Sequence, residues 1–110
     1  MMLKHLNEIE PVATSHGVGQ KRVLLSKAET ETGLTQIAVT KLKAGEVAEE
    51  HVHKTMEEEF FFMSGVAEVE IDGKAVVCRA GDFLKISHDV RHMLRAVEDT
   101  EMMTIGATIR

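Results

Sequence analysis

Two alternating runs, Val66-Ala67-Glu68-Val69-Glu70-Ile71 and Lys74-Ala75-Val76-Val77-Cys78, flank Asp72-Gly73, and this unit limits the fold more than any other part of the chain. A period of two sends every second side chain to one face of a strand. Asp-Gly readily takes the paired positive φ angles of a type I′ turn, whose twist suits a two-residue hairpin. The same punctuation recurs elsewhere: eight glycines fall between short apolar runs, and the single proline is Pro11. Further strands are predicted at Lys21–Ser26, Leu34–Leu42, Glu59–Met63, Asp82–Ile86, His92–Val97 and Glu101–Ile109. No segment of similar length carries a helical period, apart from a turn or two near Leu3–Ile9. Val12–Gly19 is rich in small residues and reads as a loop or arm, so residues 1–20 form an N-terminal strand or arm. Many short strands at roughly 8–12-residue spacing define an all-β sandwich or barrel.

Length and charge narrow the class. At 110 residues the chain fits one domain with one sizeable core. Four Phe and no Tyr or Trp imply a core that is aliphatic and rich in methionine. The net charge is −5 and the basic residues are scattered, so the field opposes a phosphate backbone and nucleic acid is not expected as a partner. One cysteine, Cys78, permits no intrachain disulfide and reads as a small buried hydrophobe in its strand. Neither a signal segment nor a run of apolar residues long enough to span a membrane is present, so a cytoplasmic protein without membrane contact is expected.

The chemistry-bearing residues concentrate between Gly45 and Gly65. His51 and His53 stand two apart, so on a strand both rings project to one side while Val52 faces the other. Alone, such a pair marks exposed histidines more often than ligands. Glu58 follows after a short connection and shares its parity with Phe60 and Phe62, which places a carboxylate on an inward, apolar face. An ionised carboxylate there is costly unless a positive group pairs with it, and a divalent cation does so. Glu57 and Glu59 have the opposite parity and are expected to face solvent. His92, eleven residues after Gly81, supplies a third imidazole provided its strand keeps register.

This constellation resembles the cupin family. The family's first motif is a glycine, five residues, His-x-His, three or four residues, Glu, six residues and Gly; Gly45, His51, His53, Glu58 and Gly65 meet it with the four-residue spacer. Glu57 would satisfy the shorter spacer but leaves seven residues to Gly65, which favours Glu58. The second motif is met at Gly81 and His92, while Ser87, Asp89 and Ala96 replace its proline, turn glycine and asparagine. Fifteen residues separate the two motifs, the short spacing of compact microbial cupins. The resemblance runs from Gly45 to Ala96 and implies a small single cupin domain over residues 1–110. The fold so implied is a double-stranded β-helix, a jelly-roll barrel of two packed antiparallel sheets. It implies a metal held by His51, His53, Glu58 and His92.

Three histidines and a glutamate suit Mn, Fe, Ni, Zn or Co. Phe60 and Phe62 are candidate pocket-lining residues, with an ordinary core role as the competing account. His88 is a candidate acid or base at the pocket mouth, against simple solvation in the turn Ser87-His88-Asp89. His5 and His16 have no partner in the sequence that points to a role. The expected function is that of a metal-dependent enzyme on a small polar metabolite, of isomerase or dioxygenase type. A metal-dependent binding or sensing module is the alternative, and a metal-free barrel ranks below both. A homodimer is expected, with Phe61, Met63 and the C-terminal strand covering exposed apolar surface.

Overall fold

The structure, a computed structural model, describes residues 1–110 and contains ten strands. They are β1 (Val12–Ala13), β2 (Gln20–Ser26), β3 (Leu34–Leu42), β4 (Val47–His51), β5 (Met56–Ser64), β6 (Val66–Ile71), β7 (Lys74–Arg79), β8 (Phe83–Ile86), β9 (His92–Ala96) and β10 (Thr100–Thr108). One sheet has six strands in the order β1-β2-β3-β10-β5-β8, and the other has four in the order β4-β9-β6-β7. All pairings are antiparallel, which gives the all-β sandwich expected from the glycine-punctuated alternation, in the jelly-roll form that the resemblance implies.

The β6–β7 hairpin forms in the predicted register, with Ile71 opposite Lys74 and both turn residues at positive φ, 49° for Asp72 and 79° for Gly73. Gly65, between β5 and β6, sits at φ 86°, and a β-carbon there would collide with the Asp99 carbonyl and Thr100. That close approach explains why the second glycine of the first motif tolerates no side chain. In the second motif Asp89 stands where the family has a turn glycine. It takes φ 62°, a left-handed conformation that aspartate tolerates better than most residues. The turn therefore survives the substitution.

Between the sheets, Leu42, Phe60, Phe62 and Met102 from the larger sheet meet Val69, Ala67, Leu94 and Ala96 from the smaller one. The core is aliphatic with two phenyl rings, not methionine-rich: of seven methionines only Met102 is buried. Strand parity accounts for this, since Met63 and Met103 fall on the outer face of their strands, opposite to Phe62 and Met102. Three further local differences appear. The segment near Leu3–Ile9 forms only a 3₁₀ turn at Leu6–Glu8. The arm contains the two-residue strand β1 paired with β2. And β4, which has no alternating signal, forms because β9 offers it an edge.

Candidate metal centre

His51 ends β4 and lies directly opposite His92, the first residue of β9. This cross-strand pairing sets the two imidazoles 4.1 Å apart, centre to centre. A register shift between Ala48 and His51 re-aims the end of β4. His53 does not share that strand, contrary to the alternation expected from His-x-His. It lies in the connection beyond β4, where its carbonyl accepts from the Asp89 N–H at 2.7 Å. Glu58 arrives from the opposite sheet, on the inner face of β5. Both sheets and the connection between β4 and β5 therefore supply the four side chains.

One ligand atom from each of His51, His53, Glu58 and His92 lies within 4.8 Å of all the others. Glu58 Oε1 is 2.7 Å from His53 Nε2 and 3.4 Å from His92 Nε2. None of these three buried atoms makes a well-directed hydrogen bond, although buried polar atoms normally have partners. Nitrogen–metal distances of about 2.0–2.1 Å place ligands of one ion within the observed separations. A shared cation would satisfy all three atoms at once, and the donor set fits a divalent metal. The outer contacts agree: His51 Nδ1 is 2.7 Å from the Glu49 carbonyl and His92 Nδ1 is 2.9 Å from the Val90 carbonyl. A carbonyl only accepts, so each Nδ1 carries the proton, which leaves each Nε2 with a lone pair that could bind a metal.

Electrostatics ties the group together. Burial acts to raise the Glu58 pKa, but its contact with His92 and the charges of the neighbouring imidazoles hold it below the usual 4.5. Burial acts to lower His92, and Glu58 and the Val90 carbonyl overcome it, so His92 titrates above 6.5. Burial lowers His51, against the pull of the Glu49 carbonyl. Glu57 and Glu59 stand on the other face of β5 but, contrary to the expected solvent exposure, both are half-buried, and Glu59 Oε2 is buried without a hydrogen-bond partner. Burial and the neighbouring Glu57 carboxylate push Glu59 up to about 7, while Lys85 approaches Glu57 at 3.9 Å.

Beside the four ligands lies a cavity of about 110 Å³. Its apolar wall includes Leu42, Phe60, Val69, Leu94 and Met102; its polar wall is formed by His16, Lys21, Gln36, Thr40 and Thr104. Phe60 lines this space as the parity of β5 predicts. Phe62 does not: it is fully buried deeper in the core, with its ring 6.4 Å from that of Phe60. His88 does not line it either. It sits exposed in its turn, beside a separate surface depression with Glu57, Lys85 and Arg110.

His16 joins the site with no local motif to mark it. The Thr14 hydroxyl donates to the Val18 carbonyl and the Gly17 N–H to the Thr14 carbonyl at 3.0 Å, closing a tight turn in the arm. That turn sets the His16 ring 4.1 Å from the His51 ring at the cavity mouth. Burial lowers its pKa, with the Glu58 charge opposing. No local pattern signals this contact, because the partners lie 35 positions apart and meet only when β1 and β2 fold onto the large sheet.

The cupin domain family (Cupin_2) matches residues 38–106, well over half the chain, and the chain belongs to that family. Among curated proteins it is 32% identical over 96 residues to "Polyketide synthase CurC" of Streptomyces cyaneus, covering 87% of this chain and 61% of that protein. It is 35% identical over 85 residues to "Protein SchB" of Streptomyces halstedii, covering 76% and 60%. The chain thus spans about three-fifths of the length of these relatives. A predicted oxalate decarboxylase from Thermotoga maritima superposes with TM-score 0.88 at 23% identity, over 98% of this chain and all of that one. Ectoine synthase from P. lautus does so with TM-score 0.84 at 24% identity, over 97% and 78%. At these identities the structural matches show the shared fold.

Proposed function

We propose that this cupin is a metal-dependent enzyme acting on a small polar metabolite, with isomerase- or dioxygenase-type chemistry. The observation that carries the proposal is the convergence of His51, His53, Glu58 and His92, with three orphaned ligand atoms, beside a cavity that His51, Glu58 and His92 help to line. A divalent Mn, Fe, Ni, Zn or Co ion would be held there by His51, His53, Glu58 and His92 and would supply Lewis acidity to a bound ligand's oxygen atoms. Glu58 neutralises part of the ion's charge, and the Nδ1–carbonyl bonds fix the His51 and His92 rings. Leu42, Leu94 and Met102 keep water from one side, while Thr40 and Thr104, 3.3 Å apart, offer hydroxyls on the other.

Size bears on the substrate. An apolar cavity of about 150 Å³ encloses a benzene ring, so about 110 Å³ encloses a small molecule or the end of a larger one. The synthase name carried by the 32%-identical relative favours catalysis over storage. In this account residues 1–110 act as one cupin unit, and the arm within residues 1–20 contributes wall through Thr14, Ser15 and His16. Incubating metal-loaded protein with metabolite pools, with and without O₂, tests the proposal. Consumption of one small component supports an enzyme; a component retained unchanged supports the binding or sensing module.

A further inference from the structure

Lys21 differs from the other lysines of the chain. Lys4, Lys41, Lys54 and Lys85 each lie within 4.0 Å of a carboxylate, and Lys27, Lys43 and Lys74 are open to water. Lys21 is half-buried, faces the cavity and has no carboxylate partner. Its ammonium donates to the Gln36 side-chain oxygen at 3.0 Å. A neutral amide orients the ammonium without cancelling its charge. A half-buried cation held this way lacks the counter-charge that burial ordinarily demands.

The sheet register fixes where that charge stands. Lys21 on β2 pairs with Thr40 on β3, and its side chain runs along the sheet to reach Gln36. Gln36 lies opposite Gly106 of β10, and Gly106 lies opposite Glu58 of β5. Two strand spacings, about 10 Å between backbones, therefore separate the residue that anchors the ammonium from the residue that enters the metal cluster. The side chains lean into the cavity from both positions. The one carboxylate on the wall, Glu58, lies against His53 and His92.

We propose that Lys21, held by Gln36, is an anion-recognition site, and that the cavity takes a small carboxylate carrying a second oxygen donor, a 2-oxo or 3-oxo acid of about half a dozen heavy atoms. The carboxylate pairs with Lys21, and the second oxygen turns toward the cluster of His51, His53, Glu58 and His92. The Thr40 and Thr104 hydroxyls complete the polar wall, and the apolar wall rejects a second charge. The first part of this assignment stands on Lys21 itself; the orientation of the second oxygen rests on the metal-binding function proposed above.

Calorimetric titration with pyruvate and with pyruvamide, its uncharged counterpart of the same shape, tests the assignment. Zinc-loaded protein is used, since zinc has no redox chemistry, with metal content measured for every variant. Wild type is expected to bind pyruvate at least tenfold more tightly than pyruvamide. Lys21→Met should weaken pyruvate roughly tenfold to a hundredfold, the range for one charge-assisted hydrogen bond, while metal content and pyruvamide affinity stay unchanged. Gln36→Glu retains the ammonium and gives it an internal counter-ion, so it should also abolish the preference; it covers the case in which Lys21→Met does not fold. Equal affinity for the two probes in wild type overturns the proposal, as does unchanged pyruvate binding in either variant. Loss of metal together with pyruvate binding in Lys21→Met also overturns it, by assigning Lys21 to the stability of the cluster. If wild type holds no zinc, the metal-binding function fails. A pyruvate preference that persists in that metal-free protein and vanishes in Lys21→Met still supports the anion site.

Discussion

At the residue scale, two of the four side chains of the candidate centre have one partner outward and face the others inward. His51 and His92 each lend Nδ1 to a backbone carbonyl and keep Nε2 toward the cluster. Glu58 is the residue whose charge the arrangement cannot spare. Glu58→Gln is expected to leave the fold intact and to reduce bound metal by tenfold or more, measured by elemental analysis after dialysis. Retention of near-stoichiometric metal in that variant would remove Glu58 from the ligand set. Away from the centre, Lys4 binds both carboxylate oxygens of Glu29, at 2.9 and 3.0 Å, and Ser26 adds a backbone donor. The Lys4 hydrogen bond, then those from Ser26, lower the Glu29 pKa from 4.5 to about 2. A depressed carboxylate stabilises the fold above its unfolded-state pKa and loses that contribution as pH falls through the folded value. Carbon-detected NMR titration should therefore show Glu29 titrating near pH 2, and Lys4→Ala should move it back toward 4.5. A wild-type midpoint near 4.5 would show that the pair does not persist in solution.

At the scale of elements, the hairpin β6–β7 and strands β2, β3, β5, β8, β9 and β10 were legible because alternation and glycine punctuation are local properties. Strand β4 was not legible: Val47-Ala48-Glu49-Glu50-His51 has neighbouring small apolar residues and two glutamates, and pairing with β9 makes it a strand. The position of His53 beyond β4 followed from the same missing signal. His16 and Lys21 were invisible as site residues because the first acts from a turn and the second from a strand read only for its apolar content. The motif glycines were legible as breaks, and the structure supplies their reason. Gly65→Ala should destabilise the protein by roughly 1–3 kcal/mol, as overpacking does, because the added carbon meets backbone at Asp99 and Thr100. Phe62→Ala should cost about 3–5 kcal/mol, since the ring is fully buried between the sheets. Urea denaturation checks both, and a loss under about 1 kcal/mol for Phe62→Ala would mean that the inter-sheet core is not centred on it.

At the scale of the whole molecule, the sandwich leaves an apolar outer surface on the six-stranded sheet. Phe61 and Phe83 pair across β5 and β8 and remain exposed, with Met63 nearby on β5. We propose that a second copy of the chain covers this surface. Light scattering at micromolar concentration should give twice 12.2 kDa, and Phe61→Glu should return the mass to 12.2 kDa. A wild-type mass of 12.2 kDa would contradict the dimer.

His51, His53, Glu58 and His92, brought together from both sheets and the connection after β4, are proposed to clamp one cation beside the cavity. Crystals grown from untagged protein supplied with Mn, Fe, Ni, Zn or Co, and measured at the absorption edge of each metal, test it most directly. The account predicts a single anomalous-scattering peak per chain, bonded to His51, His53, Glu58 and His92. No peak among those four side chains with any of the metals, or a peak held elsewhere on the molecule, would contradict it.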